Sequence, residues 1–317
     1  MAKEEFFAIG NITDDLEPAP HLGGPVSYMS VTARRLGMVA NIITKAPAGH
    51  PYLDELSDLV VAVKRLPNAD PAAESDIIAF RNFYDKKGRR HQVVSHKQTA
   101  IGPTDLPNFP DLPEQSVVFV APVIDEVEPE LFQDLSRKGY LVVAPQGYFR
   151  TVREDGNVER RPWTAVDSLA AAELVILSDE DLTFDGEMDT GYLDKIKSLC
   201  PIVVLTRGGE GLSVFQQGEE PLNIRAIPMT AEEFISPTGV GDSCAAALTW
   251  HYRKWGKLRE AAIFATLYPA LKLMGLGGSP RGVQALPTLE QVKQFIDSDP
   301  GRFKAFLASN GLDSLPL

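Results

Sequence analysis

Gly239, Val240, Gly241 and Asp242 stand together just ahead of a run of small apolar residues, Ala245 to Leu248. Two glycines around one small residue let successive backbone N–H groups converge on a point. A helix starting there adds unpaired donors and the positive end of its dipole, so the turn suits an anion. A carboxylate beside a bound phosphate is electrostatically unfavourable unless it takes a proton from the attacking group, which makes Asp242 a candidate general base. The competing reading is a plain loop in which Asp242 caps the helix.

Other chemistry-bearing residues cluster where apolar runs end. Phe6 to Gly10 reads as a buried strand, with Asn11 and Asp15 beyond it as candidates for holding substrate hydroxyls. Gly23 and Gly24 precede a helix that Gly37 stops, and their bare backbone would let a ligand approach. Val39–Thr44, Val117–Val120, Leu141–Ala144, Leu174–Leu177 and Ile202–Leu205 read as further strands, with a helix from Pro129 to Lys138 between the second and third of them. Gln146 and Arg150 follow the third of these strands as polar candidates at its exit. Ser178, Asp179, Glu180 and Asp181 crowd acid at the exit of Leu174–Leu177, where a carboxylate could organise Mg²⁺ through waters or simply cap a helix. Thr206 to Gly211 either makes a turn or leaves room for a nucleotide.

The stretch from residue 77 to 94 breaks this α/β rhythm. Its two strand-like runs around Asp85-Lys86-Lys87-Gly88 form a hairpin pattern, and an inserted hairpin serves as a lid. From such a lid Arg81, Asn82 and Tyr84 could face a ligand, although a solvated face is the commoner fate of such residues. The lid's exposed face is also read as a surface for pairing with a second copy, giving a homodimer.

The chain has 317 residues and a formal net charge of -12, which disfavours nucleic acid and anionic membranes as partners. Its two cysteines, Cys200 and Cys244, lie far apart without metal-ligand spacing. The charged N-terminus lacks a following apolar signal region, and a cytoplasmic location is expected.

Taken in order, these residues resemble the ribokinase-like PfkB family of sugar kinases. Pro237-Thr238-Gly239-Val240-Gly241-Asp242-Ser243 is similar to the family's Asp-Thr-Gly-Ala-Gly-Asp-Ser, and Asp15, Gly23-Gly24 and Thr206-x-Gly208-x-x-Gly211 fall where the family has its strand-end aspartate, glycine pair and nucleotide loop. The resemblance implies a doubly wound, mostly parallel sheet flanked by helices over 1–317, with a small β lid formed mainly by residues 77–94. It implies an ATP-dependent, Mg²⁺-assisted kinase acting on a hydroxyl of a small sugar, polyol or nucleoside. Asp242 would then be the base and the Gly239, Val240 and Gly241 amides the anion hole. Ser178, Thr206, Arg207, Gly208 and Gly211 would meet the nucleotide, and Asp181 the metal. Asn11, Asp15, Gly23, Gly24, Arg81, Asn82, Gln146 and Arg150 would meet the substrate. The chain departs from the family at Tyr28, where an asparagine is usual, at Ser178 and Asp181, which replace Asn and Glu, and at Ser236-Pro237, which replaces the acid before the signature. These changes point away from ribose or fructose, and the segments Gly23–Tyr28 and Gln146–Arg150 look most like members acting on inositol or poorly characterised sugars. An idle family member that binds a metabolite as a regulator is the alternative. A dinucleotide-dependent dehydrogenase is disfavoured, because no Gly-x-Gly-x-x-Gly follows the first strand.

Overall fold

The computed structural model describes residues 4–17, 19–68, 77–84, 90–95, 99–279 and 281–317. The chain begins with β1 (Glu5–Ile9), β2 (Thr13–Asp15) and β3 (His21–Gly23), then α1 (Pro25–Arg35) and β4 (Val39–Thr44). α2 (Pro51–Asp58), β5 (Ala62–Arg65), β6 (Ile78–Tyr84) and β7 (Arg90–Val94) precede β8 (Val117–Val120). α3 (Phe132–Ser136), β9 (Tyr140–Val143), a hairpin of β10 (Arg150–Val152) with β11 (Val158–Arg160), and β12 (Leu174–Ser178) follow. A short ribbon of β13 (Thr183–Phe184) and β14 (Glu187–Met188) leads to α4 (Thr190–Leu199), β15 (Ile202–Thr206), β16 (Leu212–Gln216) and β17 (Leu222–Ile224). Four helices end the chain: α5 (Val240–Trp255), α6 (Leu258–Leu273), α7 (Leu289–Ser298) and α8 (Pro300–Ser309).

Nine strands form the central sheet in the order β17-β16-β15-β12-β9-β8-β1-β4-β5. At one edge β16 pairs antiparallel with both β15 and β17, and the remaining ladders are parallel. The apolar runs reflect burial on both faces, as parallel strands require. Phe6 and Ala8 pack on the side of α1, α5 and α6, whereas Phe7 and Ile9, the alternate residues, pack on the side of α3 and α4. The chain starts in the middle of the sheet at β1, builds outward through β4 and β5, then returns to β8 and builds the other way. Strand order therefore reverses between β1 and β8, and crevices of open α/β sheets lie at such a switch point, beyond the carboxyl ends of the strands.

A second sheet, β3-β2-β6-β7, leaves the central one, as expected for a lid. It is larger than a hairpin, because Thr13–Asp15, read from sequence as a polar strand exit, forms a strand parallel to β6. Both insertions that build it leave the chain next to the switch point, one after β1 and one between β5 and β8. The turn Asp85-Lys86-Lys87-Gly88 and the side chain of Tyr84 lie outside the described residues. No helix among the described residues is long and apolar enough to cross a membrane.

Candidate active site

A cavity of about 450 Å³ lies between the two sheets. From the lid it takes Asp15, Phe80, Asn82 and Gln92, from the exits of the central strands Val123, Gln146 and Arg150, and from the C-terminal half Ser236 to Asp242 and Arg281. A smaller cavity of about 60 Å³ adjoins it, lined by Ser178, Asp181 and Thr206, and Gly241, Asp242 and Gln146 line both.

The shared wall is the start of α5. Gly239 takes the left-handed conformation (φ 75°) at the N-cap, and a Cβ there would lie 2.2 Å from the Tyr28 ring, so glycine is required on two counts. The Val240 amide closes a turn on Pro237 O and the Ser243 amide bonds Gly239 O. Asp242 sits in the first turn of the helix, where the dipole favours an anion. Alanines carry the helix into the core, and Gly256 (φ 68°) stops it.

On the acceptor side, Asp15 is 8 % exposed and accepts from Thr13 Oγ1 at 3.3 Å. Gly23 leaves it room, since a Cβ on Gly23 would fall 2.5 Å from the Asp15 carboxyl carbon. His21 donates through Nδ1 to Ala19 O at 2.9 Å and holds Nε2 4.0 Å from Asp15. Asn82 and Gln92, paired across β6 and β7, share a hydrogen bond of 2.9 Å over the cavity. Arg150 is buried and donates to Val123 O at 3.3 Å.

Tyr28 is the conspicuous addition. Its hydroxyl is buried without a hydrogen-bond partner among the described residues, and its ring lies under Gly239. Burial, reinforced by the charges of Asp15 and Asp242, raises its pKa well above the usual tyrosine range, so it stays protonated and able to donate. The sequence marked Tyr28 only as a departure from the family pattern. Gln92 and Arg281 carried no motif. Glu126 was also missed. This buried carboxylate accepts from the Asn11, Val123 and Ile124 amides and ties the exits of β1 and β8 together at the switch point. Burial raises its pKa against those hydrogen bonds.

Several expected site residues serve structural contacts or face away from the cavities. Asn11 is fully buried, and its Oδ1 accepts from Thr44 Oγ1 and the Lys45 amide; it joins β1 to β4 and lines neither cavity. Arg81 points to solvent beside Glu17 at 3.6 Å, because strand alternation sends it to the face opposite Asn82. Arg207 bonds Ser213 and Asn223, fastening the β15–β16 turn to β17. Gly211 packs tightly against the Ile224 carbonyl, while Gly208 is exposed. Asp181 accepts from the Ser178 amide at 2.9 Å while Ser178 Oγ accepts from the Asp181 amide, a reciprocal cap of a short 3₁₀ turn. Burial raises its pKa, and among the described residues no three His, Cys, Asp or Glu side chains gather to hold a metal. The capping alternative is thus the one observed, and Asp181 does not fit a metal ligand.

Residues 169–279 match the model of the pfkB family carbohydrate kinases. The chain has a ribokinase-like fold. Over 135 residues it is 30 % identical to the bifunctional protein HldE of a Nitratiruptor species, a match covering 39 % of this chain and 27 % of that protein. In fold it is similar to a pyrophosphate-dependent kinase of the ribokinase family solved with sulfate (TM-score 0.70, 21 % identity, 84 % of this chain and 95 % of that one). It is similar too to a pyrophosphate-dependent myo-inositol-1 kinase altered to a myo-inositol-3 kinase (TM-score 0.70, 19 % identity, 92 % and 99 % covered). A fructokinase from Vibrio cholerae O395, bound to fructose, ADP and potassium, aligns with TM-score 0.70 at 16 % identity over 92 % and 98 %. The pfkB-family match spans both the Thr206 loop and the Gly239–Asp242 turn, and the fold places Asp15 and the lid across the cavity from that turn.

Proposed function

We propose that the protein is a phosphotransferase that moves the terminal phosphoryl group of ATP to a hydroxyl of a small sugar or polyol. The carrying observation is the position of Gly241 and Asp242 on the wall shared by both cavities. An acceptor under the lid and a donor phosphate at the start of α5 would meet there. Asp242 takes the proton as the acceptor oxygen bonds to phosphorus and the bond to the leaving phosphate oxygen breaks. The Gly239 and Gly241 amides and the helix dipole stabilise the charge spread over the transferring group. Asp15, Asn82, Gln92 and Arg150 orient acceptor hydroxyls, and the Tyr28 hydroxyl offers a donor that no described residue accepts. Ser178 and Thr206, on the smaller cavity, sit on the donor side. Mg²⁺, where it takes part, would be carried by the donor's phosphates and waters, since among the described residues no three carboxylates gather to hold it.

The cavity lining is more polar than apolar, which favours a polyhydroxylated acceptor over a nucleoside, whose base needs an apolar slot. The myo-inositol kinases among the similar folds are in keeping with this choice. A screen of sugars, inositols and nucleosides with ATP, repeated with pyrophosphate, tests the proposal. Phosphorylation of a sugar or polyol by ATP is expected. Turnover with pyrophosphate alone would replace the donor, and no turnover with any pair would leave a metabolite-binding protein.

A further inference from the structure

The reading above leaves unused a lysine buried directly behind the anion-hole loop. Lys272 stands in the last turn of α6 and is 1 % exposed. A lysine at a helix end normally extends its ammonium to water. This one turns inward, and its Nζ donates to Ser236 O at 2.7 Å and to Thr238 O at 2.6 Å. Both carbonyls belong to the segment that runs into Gly239. The Ile235 amide bonds Leu273 O, so the same segment is tied to the same end of α6.

We propose that Lys272 is a positioning residue for phosphoryl transfer, its ammonium acting as a built-in monovalent cation that fixes the Ser236 and Thr238 carbonyls and so aims the Gly239 amide at the phosphate. This rests on the phosphotransferase reading. In a trans peptide the C=O and the following N–H point to opposite sides. Holding Thr238 O on Lys272 therefore turns the Gly239 N–H away from the lysine. Gly239 has no side chain to hold it in that setting, and Pro237 supplies no N–H that could anchor the segment elsewhere. Two carbonyl dipoles facing one point repel unless a cation lies between them. Burial lowers the Lys272 pKa to about 8, opposed by the Asp242 charge, so the ammonium keeps its proton at neutral pH.

A cation of like charge and size should replace the ammonium once room is made. Pyrophosphate binding is measured by calorimetry for the wild type, Lys272→Ala and Lys272→Met, in choline, lithium, potassium or ammonium chloride at one ionic strength. In choline, both variants should bind about tenfold more weakly, the scale of losing a well-placed donor to an anion. Potassium or ammonium should restore Lys272→Ala, where space is left, and not Lys272→Met, where the side chain fills it. The wild type should be indifferent to the cation. Variants that bind like the wild type, or a loss that no cation restores, would overturn the proposal. So would a wild type whose affinity depends on potassium, an arm that needs no variant to fold. In turnover the unrescued variants should lose on the order of 10²-fold, mainly in kcat. A wild type that binds pyrophosphate but phosphorylates nothing in the acceptor screen would remove the kinase reading alone.

Discussion

The central sheet is buried on both faces by large clusters of side chains, whereas among the described residues the lid sheet has a small cluster of its own, Ile78, Phe80, Val94, Val123 and Ile124. Groups with charge chemistry are distributed accordingly. Asp242 rises from a long helix packed against α6 and α1, so its position is set by the large core. Asp15 hangs from β2, only three residues long, and Asn82 and Gln92 from the paired strands β6 and β7. Under the proposed phosphotransferase function, the difference is a division of labour: a fixed half that would hold the reacting groups and a weakly anchored half that would admit and cover the acceptor. Low local stability is what a covering element needs.

Breaking either half should read out differently. Phe119 lies at the middle of the central sheet, fully buried with its ring 5.8 Å from that of Phe6, and Phe119→Ala should cost about 3–5 kcal/mol in denaturant unfolding. Phe80→Ala in the lid should cost less globally and raise the acceptor KM. Equal losses of global stability would argue that the two sheets unfold as one.

Acid should weaken the fixed half next. His251 is fully buried on α5, donates through Nε2 to Pro316 O at 3.0 Å, and has its pKa lowered to about 4 by burial. The unfolded chain takes up this proton near pH 6.5 and the folded protein only near 4, so stability present above 6.5 is lost as pH falls between them. The loss reaches roughly 3 kcal/mol at most. Urea midpoints from pH 7 to 4.5 should fall more steeply for the wild type than for His251→Gln, and parallel slopes would contradict this assignment.

The smallest effects separate the two faces of the lid. Asn82→Ala should raise the acceptor KM about tenfold, the worth of one good hydrogen bond lost to the substrate. Arg81→Ala, one residue away on the outer face, should change stability by no more than about 0.5 kcal/mol and leave KM alone. Steady-state kinetics on the pair check this. A KM effect at Arg81 would mean the lid turns over when it closes.

The parallel strands were legible because burial on both faces leaves unbroken apolar runs such as Val117–Val120, and α5 because alanines follow a glycine turn. The Gly239–Asp242 turn and the departure of β6 and β7 from the main sheet were legible for the same kind of local reason. Thr13–Asp15 as a lid strand was not, since three polar residues have no period, and their pairing with β6 spans more than sixty residues of chain. Asn11 and Arg207 misled because a polar residue at a strand exit looks the same whether it faces a ligand or fastens two strands. Glu126 and Lys272 were silent because a buried charge is recognisable only from what surrounds it.

Asp242→Asn tests the central claim most directly, because it keeps the shape of the side chain and removes its basicity. Turnover should fall by roughly 10²–10⁴ while the fold is retained, asparagine being nearly as good a helix cap as aspartate. Donor affinity should hold or rise, with one negative charge fewer beside the phosphates. Turnover close to the wild type in a folded Asp242→Asn protein would contradict the base assignment and return Asp242 to the role of a helix cap.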